Sequence, residues 1–136
     1  MADQSDRQAN ARRRQELADA AGRAEAAQAQ SQLDAFVVRM TQAGAQPEPL
    51  RAQLASGGRA RTPLVGWYVN AARTIAVTPD GGFYRLVVPG SALARLTGVS
   101  LSPSAPVTVI GRGGRDGETG DLADFLERAF VEYSSR

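Results

Sequence analysis

No cysteine, histidine or lysine occurs in this chain of 136 residues. Each absence removes a class of chemistry. Without cysteine there are no disulfides, thiolate metal sites or cysteine nucleophiles. Without histidine or lysine the usual general bases are missing, because arginine stays protonated. A Ser-His-Asp triad, a Walker lysine, a Schiff-base lysine and a histidine-ligated metal are therefore excluded within the chain. An enzyme built from it would be left with carboxylate chemistry or a hard cation bound through oxygen. No apolar run approaches the roughly 18 residues of a membrane span. The opening Met1–Arg7 lacks the apolar core of a secretory signal, so a cytoplasmic location is expected.

All 16 basic residues are arginine, a bias that suggests a high-GC bacterial genome. The net charge of +2 conceals an asymmetry. Residues 1–44 hold six arginines and six acids; residues 45–115 hold eight arginines against Glu48 and Asp80; residues 116–136 hold two arginines against six acids. The total thus says little about local fields.

The pattern predicts three consecutive strands at the centre of the chain: Leu64–Asn70, Arg73–Thr78 and Phe83–Val88. This stretch holds the one tryptophan and four of the eight aromatics. Alternation places Ile75 with Val77, and Tyr84 with Leu86 and Val88, on buried faces. An even turn at Pro79–Gly82 would pair Val77 with Tyr84 and Ile75 with Leu86, whereas an odd one would set Ile75 against Arg85. The even register is therefore expected, with Val65, Trp67 and Val69 lining the same buried face.

Before this sheet, Ser5 to about Ala43 reads as one long helix, rich in Ala, Gln, Arg and Glu and free of proline. It carries two stripes that point nearly opposite ways. Ala26, Ala29, Leu33, Phe36, Val37 and Met40 form the heavier one, expected to dock on the domain. Leu17, Ala20, Ala21, Ala24 and Gln28 form the other, too small to anchor against a core; it either frays in solution or packs closely against another helix. Gly44 and Pro47 end the helix. Pro47–Ala55 reads as a short helix with proline at its start, and Ser56–Pro63 as a flexible basic connector. The domain organisation is thus a helix over 1–44, a short helix and basic linker over 45–63, and a small α+β domain over 64–136.

After the sheet, Ser91–Leu96 reads as a short helix capped by Ser91 and stopped by Gly98. Val99–Leu101 and Pro106–Ile110 read as brief strands, and residues 111–120 as a mobile glycine-rich loop. Leu122, Phe125, Leu126, Ala129, Phe130 and Tyr133 then follow the helical i, i+3, i+4, i+7 spacing. Asp121 is placed to cap that helix, and Asp124–Arg128 and Arg128–Glu132 to pair on its outer face. The fold class is α+β: a mainly antiparallel sheet covered by a C-terminal amphipathic helix and preceded by a long N-terminal helix.

Three constellations invite a functional reading. The strand, glycine-rich loop and helix at 107–133 suggest an anion site at Arg112, Gly113, Gly114 and Arg115. Against it, Asp116 stands where the dinucleotide fingerprint needs its third glycine, and the nearby acids would repel a phosphate. The same acids lack the ligand order of a calcium loop and serve the helix dipole more simply. Arg51, Arg59, Arg61, Arg73, Arg85, Arg95, Arg112 and Arg115, with Tyr68 and Phe83 as exposed aromatics beside them, could form a nucleic-acid surface, although no recognised nucleic-acid motif accompanies them. Trp67, Tyr84, Phe125 and Phe130 read as core.

The stretches Gly66-Trp67, Asp80–Tyr84, Val109–Glu118 and Asp121–Leu126 resemble those of a family of small uncharacterised proteins from high-GC bacteria. These pair a variable helical N-terminus with a small α+β domain. The resemblance covers residues 33–130 and implies no activity, so no functional residue is carried over.

The function expected is a non-enzymatic interaction or assembly module acting through its N-terminal helix. Leu17, Ala21, Ala24, Gln28 and Ser31 would meet a second copy or another helical protein, with Arg12, Arg13, Arg14, Glu16, Asp19, Arg23 and Glu25 setting orientation. A nucleic-acid or polyanion binder using the arginine-rich middle segment is the alternative, and a carboxylate- or metal-dependent enzyme the third. No cofactor, no bound metal and no membrane partner are expected.

Overall fold

A computed structural model of the chain describes residues 2–90, 93–111 and 118–136. The elements run α1 (Ala2–Gln42), β1 (Glu48–Leu54), β2 (Arg59–Tyr68), β3 (Ile75–Val77), β4 (Phe83–Arg85), β5 (Val87–Val88), α2 (Ala94–Thr97), β6 (Val109–Ile110), β7 (Gly120–Asp121) and α3 (Leu122–Ser134). This is the expected α+β arrangement, with a long N-terminal helix, a mostly antiparallel sheet and a covering C-terminal helix. No helix among the described residues is long and apolar enough to cross a membrane.

The sheet has the order β4-β3-β2-β1-β5. Only Leu86 separates β4 from β5, so one run of chain forms both edges and the sheet curls round on itself. The Leu86 backbone serves both sides of the curl. Its N–H donates to Thr74 O, and its carbonyl accepts from Gln53 N, each at 2.7 Å. Inside the curl Leu86 meets Leu50, Tyr68, Ala76 and Tyr84. The outer face gathers Trp67, Val69, Ile75, Val77 and Phe83, which α1 and α3 cover with Leu33, Phe36, Met40, Leu122, Phe125 and Tyr133.

The hairpin register corrects the even-turn expectation. Ile75 faces Arg85, Ala76 faces Tyr84 and Val77 faces Phe83. The turn takes an odd number of residues, Thr78 to Gly82. Thr78 N donates to Gly82 O, Gly81 N to Thr78 O, and the Thr78 hydroxyl bonds the Asp80 carboxylate. The expectation assumed a sheet buried on one face only. In fact Ile75, Ala76 and Val77 are 3%, 0% and 0% exposed, so alternation cannot choose a register there. Val65 is a second correction: it is 46% exposed, because the helices cover only Trp67, near the end of β2, and Val69 just beyond it.

The segment between α1 and the sheet also differs from expectation. Residues 48–54 form β1, not a helix, with Leu50, Ala52 and Leu54 buried in alternation. The supposed linker is a tight link at 55–58 followed by the first half of β2. Pro49 is tolerated because β5 pairs only with Gln53 and Leu54, leaving no neighbour on that side to need its N–H. α1 ends as expected. Gly44, at φ 70°, donates to Thr41 O, and Ala45 N donates to Met40 O, the paired bonds of a Schellman motif.

The later elements are shorter than the sequence suggests. Ser91 lies outside the described residues; α2 begins at Ala94 and stops at Gly98. Val99–Leu101 is not a strand, and only Val109 and Ile110 of the 106–110 stretch pair, with β7. Of the 111–120 loop, residues 112–117 lie outside the described residues, while Gly120 belongs to β7. α3 buries Leu122, Phe125, Leu126, Ala129 and Tyr133, with Phe130 packed at the rim. Asp121 sits at the N-cap without a side-chain bond, and Arg128 stands over the Phe125 ring at 4.6 Å rather than in an ion pair with Asp124 or Glu132.

Candidate interaction surfaces

α1 divides into a docked half and a free half. From Ala29 onward, Leu33, Phe36 and Met40 are buried at helical spacing, and Phe36 meets Trp67 edge-on with centroids 5.9 Å apart. Polar contacts flank this apolar seam. Glu25 Oε1 accepts from Thr108 N and Oγ1 at 3.2 and 3.0 Å. Gln30 Nε2 donates to Gly81 O at 2.9 Å. Arg39 pairs with Glu127 at 2.6 Å and lies 3.9 Å above the Phe130 ring. The hydrogen bond between them raises the Arg39 guanidinium and holds the Glu127 carboxyl below its usual range. Glu25, expected to flank an intermolecular helix pair, thus binds the domain instead.

Ahead of Glu25 the helix leaves the domain. Residues 3–24 are all exposed. At ~1.5 Å per residue these 22 residues extend ~33 Å. Leu17, Ala21, Ala24, Gln28 and Ser31 lie along one side of the helix, and all five are exposed, Leu17 at 64%. The Ser31 hydroxyl bonds back to Ala27 O at 3.2 Å. At ~100° per residue this side lies ~140° round the axis from the docked seam. The domain cannot cover both.

The anion-site residues Arg112, Gly113, Gly114 and Arg115 lie outside the described residues. Of the remaining arginines in the basic segment, Arg51, Arg59, Arg61, Arg73, Arg85 and Arg95 are exposed. The aromatics expected beside them are not: Tyr68 is 7% and Phe83 1% exposed.

A cleft of about 200 Å³ lies between α3 and the turn after β2, lined by Tyr68, Val69, Asn70, Glu118, Phe125 and Arg128 among others. Both acids that line it are engaged, Glu132 by Arg136 at 3.0 Å. Glu118 accepts the N–H groups of Ala71 and Ala72 at 3.2 and 2.8 Å. The turn is also held by Gln53 Nε2, which donates to Ala72 O at 2.6 Å. Among the described residues no three acidic side chains converge where a cation could sit.

Glu25, Gln30 and Arg39 flank the docked seam of α1 with polar contacts that the sequence does not announce. Their partners lie 83, 51 and 88 residues away, beyond any local pattern. No protein-family model, curated protein or solved structure was found to match the chain.

Proposed function

We propose that this protein is a non-enzymatic interaction module whose partner, a second copy or another helical protein, packs along the free half of α1. The exposure of every residue from 3 to 24, in a helix continuous with a firmly docked half, carries this reading. An isolated helix of this length, rich in charged residues, is marginal in water. The docked half supplies a nucleus that favours its propagation. Leu17, Ala21 and Ala24 allow close approach of another helix, and the flanking Arg12, Arg13, Arg14, Glu16, Asp19 and Arg23 can set its direction.

Removing residues 1–24 tests the reading, because the domain is packed without them. Sedimentation equilibrium should give a concentration-dependent mass for the full chain and a monomer for the shortened one. The helical circular dichroism assigned to the arm should rise over the same concentration range. The reading fails if both proteins stay monomeric, the arm's helicity ignores concentration, and host protein is retained equally by both.

A further inference from the structure

The β1–β2 pairing sets Arg51 directly opposite Arg61 and Gln53 opposite Arg59. Arg51, Arg59 and Arg61 are exposed, while Ala52, Leu54 and Ala60, alternating with them, are buried. The three guanidinium groups therefore share the outer face of one hairpin. Like charges directly opposite on antiparallel strands repel, with Cβ atoms ~4.5–5.5 Å apart. Nothing among the described residues relieves this. No acid occurs from Pro49 to Pro79. Neighbouring Glu48 is engaged by Tyr133 and Arg136. Among the described residues no carboxylate, carbonyl or ring holds these three guanidinium groups. Arg95 Nη2 donates to Gly57 O at 2.8 Å, which brings a fourth cation to the tip of the same hairpin.

We propose that this hairpin face binds the phosphate backbone of a nucleic-acid duplex. A phosphate lying between Arg51 and Arg61 converts their repulsion into two charge-assisted hydrogen-bonding contacts. Arg59, two residues along the same strand, and Arg95 at the tip extend the contact along a row of phosphates. Phosphate contacts position a protein without reading sequence, so binding is nonspecific. A single strand suits the face less well. Trp67, Tyr68, Phe83 and Tyr84, the aromatics of this sheet, are all buried, which leaves no stacking platform for unpaired bases.

Fluorescence anisotropy with the full-length protein and a mixed-sequence DNA duplex tests the proposal. The logarithm of the binding constant should fall linearly with the logarithm of salt concentration, with a slope of about −3 to −4 for three or four phosphates. Arg61→Thr should weaken binding on the order of tenfold at low salt and reduce the slope by about one, whereas Arg61→Lys should keep the slope. Arg61→Thr should also raise the melting temperature of the free protein at low salt, because it removes the opposed charge. A change that merely damaged the fold would lower it. Arg59→Gln, opposite Gln53, gives a second reading with less risk to the strand pair. The variant lacking residues 1–24 should bind as the full chain does, which keeps this result separate from that of the arm.

Four outcomes overturn the proposal: no duplex binding at about 50 mM salt, where three or four phosphate contacts should be strong; unchanged affinity and slope in both Arg61→Thr and Arg59→Gln; binding lost with residues 1–24 and indifferent to the hairpin; or preference for anionic lipid vesicles with weak salt dependence. The last would point to insertion of Leu93 and Leu96, exposed at 64% and 74% on either side of Arg95.

Discussion

The Tyr133 hydroxyl donates to Glu48 Oε2 at 2.7 Å and accepts the backbone N–H of Tyr68 at 2.9 Å. One side chain near the end of the last helix thus joins the first residue of β1 to the last of β2. Tyr133→Phe keeps the ring in the core but leaves the Tyr68 N–H without a partner and Glu48 one donor short. The expected loss is ~1–3 kcal/mol, the usual cost of an unsatisfied buried group, read from urea denaturation. An unchanged midpoint would mean that water replaces the hydroxyl at no cost.

The same contact makes stability depend on pH at both ends of the scale. Burial pushes the Glu48 carboxyl up, but the Tyr133 hydroxyl and the Arg136 guanidinium outweigh it and hold the group below its usual range. A carboxyl lowered by folding contributes stability that is present above its unfolded pKa of about 4.3 and lost as pH falls through the folded value. Glu48→Gln should therefore lose less stability than wild type as the solution is acidified below about pH 5. Burial and then the Glu48 contact push the Tyr133 phenol up. Its contribution is present below about pH 10 and is lost as pH rises through the folded value. Thermal melts across pH read both limbs, and superimposed acid limbs for wild type and Glu48→Gln would refute the coupling.

Core and arm positions on α1 should respond oppositely. Phe36 is buried against Trp67, so Phe36→Ala should cost ~3–5 kcal/mol and loosen the whole helix from the sheet. Leu17 is exposed on the free half, so Leu17→Ala should leave monomer stability within ~0.5 kcal/mol. Its effect should instead fall on the association constant. A large destabilisation of the monomer by Leu17→Ala would mean that the arm folds back onto the domain.

Asn70 is the keystone of the turn that separates β2 from β3. Its Oδ1 accepts from Thr74 N and Ile75 N at 3.0 and 3.1 Å, and its Nδ2 donates to the Thr74 hydroxyl at 2.6 Å. The turn also forces Arg73 into the left-handed region, at φ 58°, a conformation that needs support from its surroundings. Asn70→Ala should cost ~1–3 kcal/mol. The Ile75 amide should then exchange faster in hydrogen-exchange experiments than amides of the β1–β2 pair. Equal protection across the sheet would show that the turn is held from elsewhere, by Glu118 and Gln53.

The parts legible in the sequence were those governed by one buried face. α3 showed its core stripe directly, and the heavy stripe of α1 marked the docked half. The segment 48–54 reads as helix from sequence alone because Arg51, Ala52, Gln53 and Leu54 all favour helix, while the pairing that makes them a strand comes from residues 59–66 and 87–88. The β3–β4 register is not legible because β3 is buried on both sides, where alternation is silent. The free side of α1 could be located from Leu17, Ala21 and Ala24. The opposed arginines 51 and 61 could not, since their meeting depends on an irregularity in β1–β2 pairing between Pro49 and Arg51.

The unbroken path of α1 from free half to docked half fixes an angular phase as well as a length. Whatever grips Leu17 is held at a set rotation about the helix axis relative to the sheet. One residue inserted near Glu25 would swing the arm's contact side by ~100° while lengthening it by only ~1.5 Å. Seven residues would lengthen it by ~10 Å yet return the side to within ~20° of its starting direction. If the arm merely tethers, the two insertions should be tolerated alike; if it orients, the shorter one should do more harm.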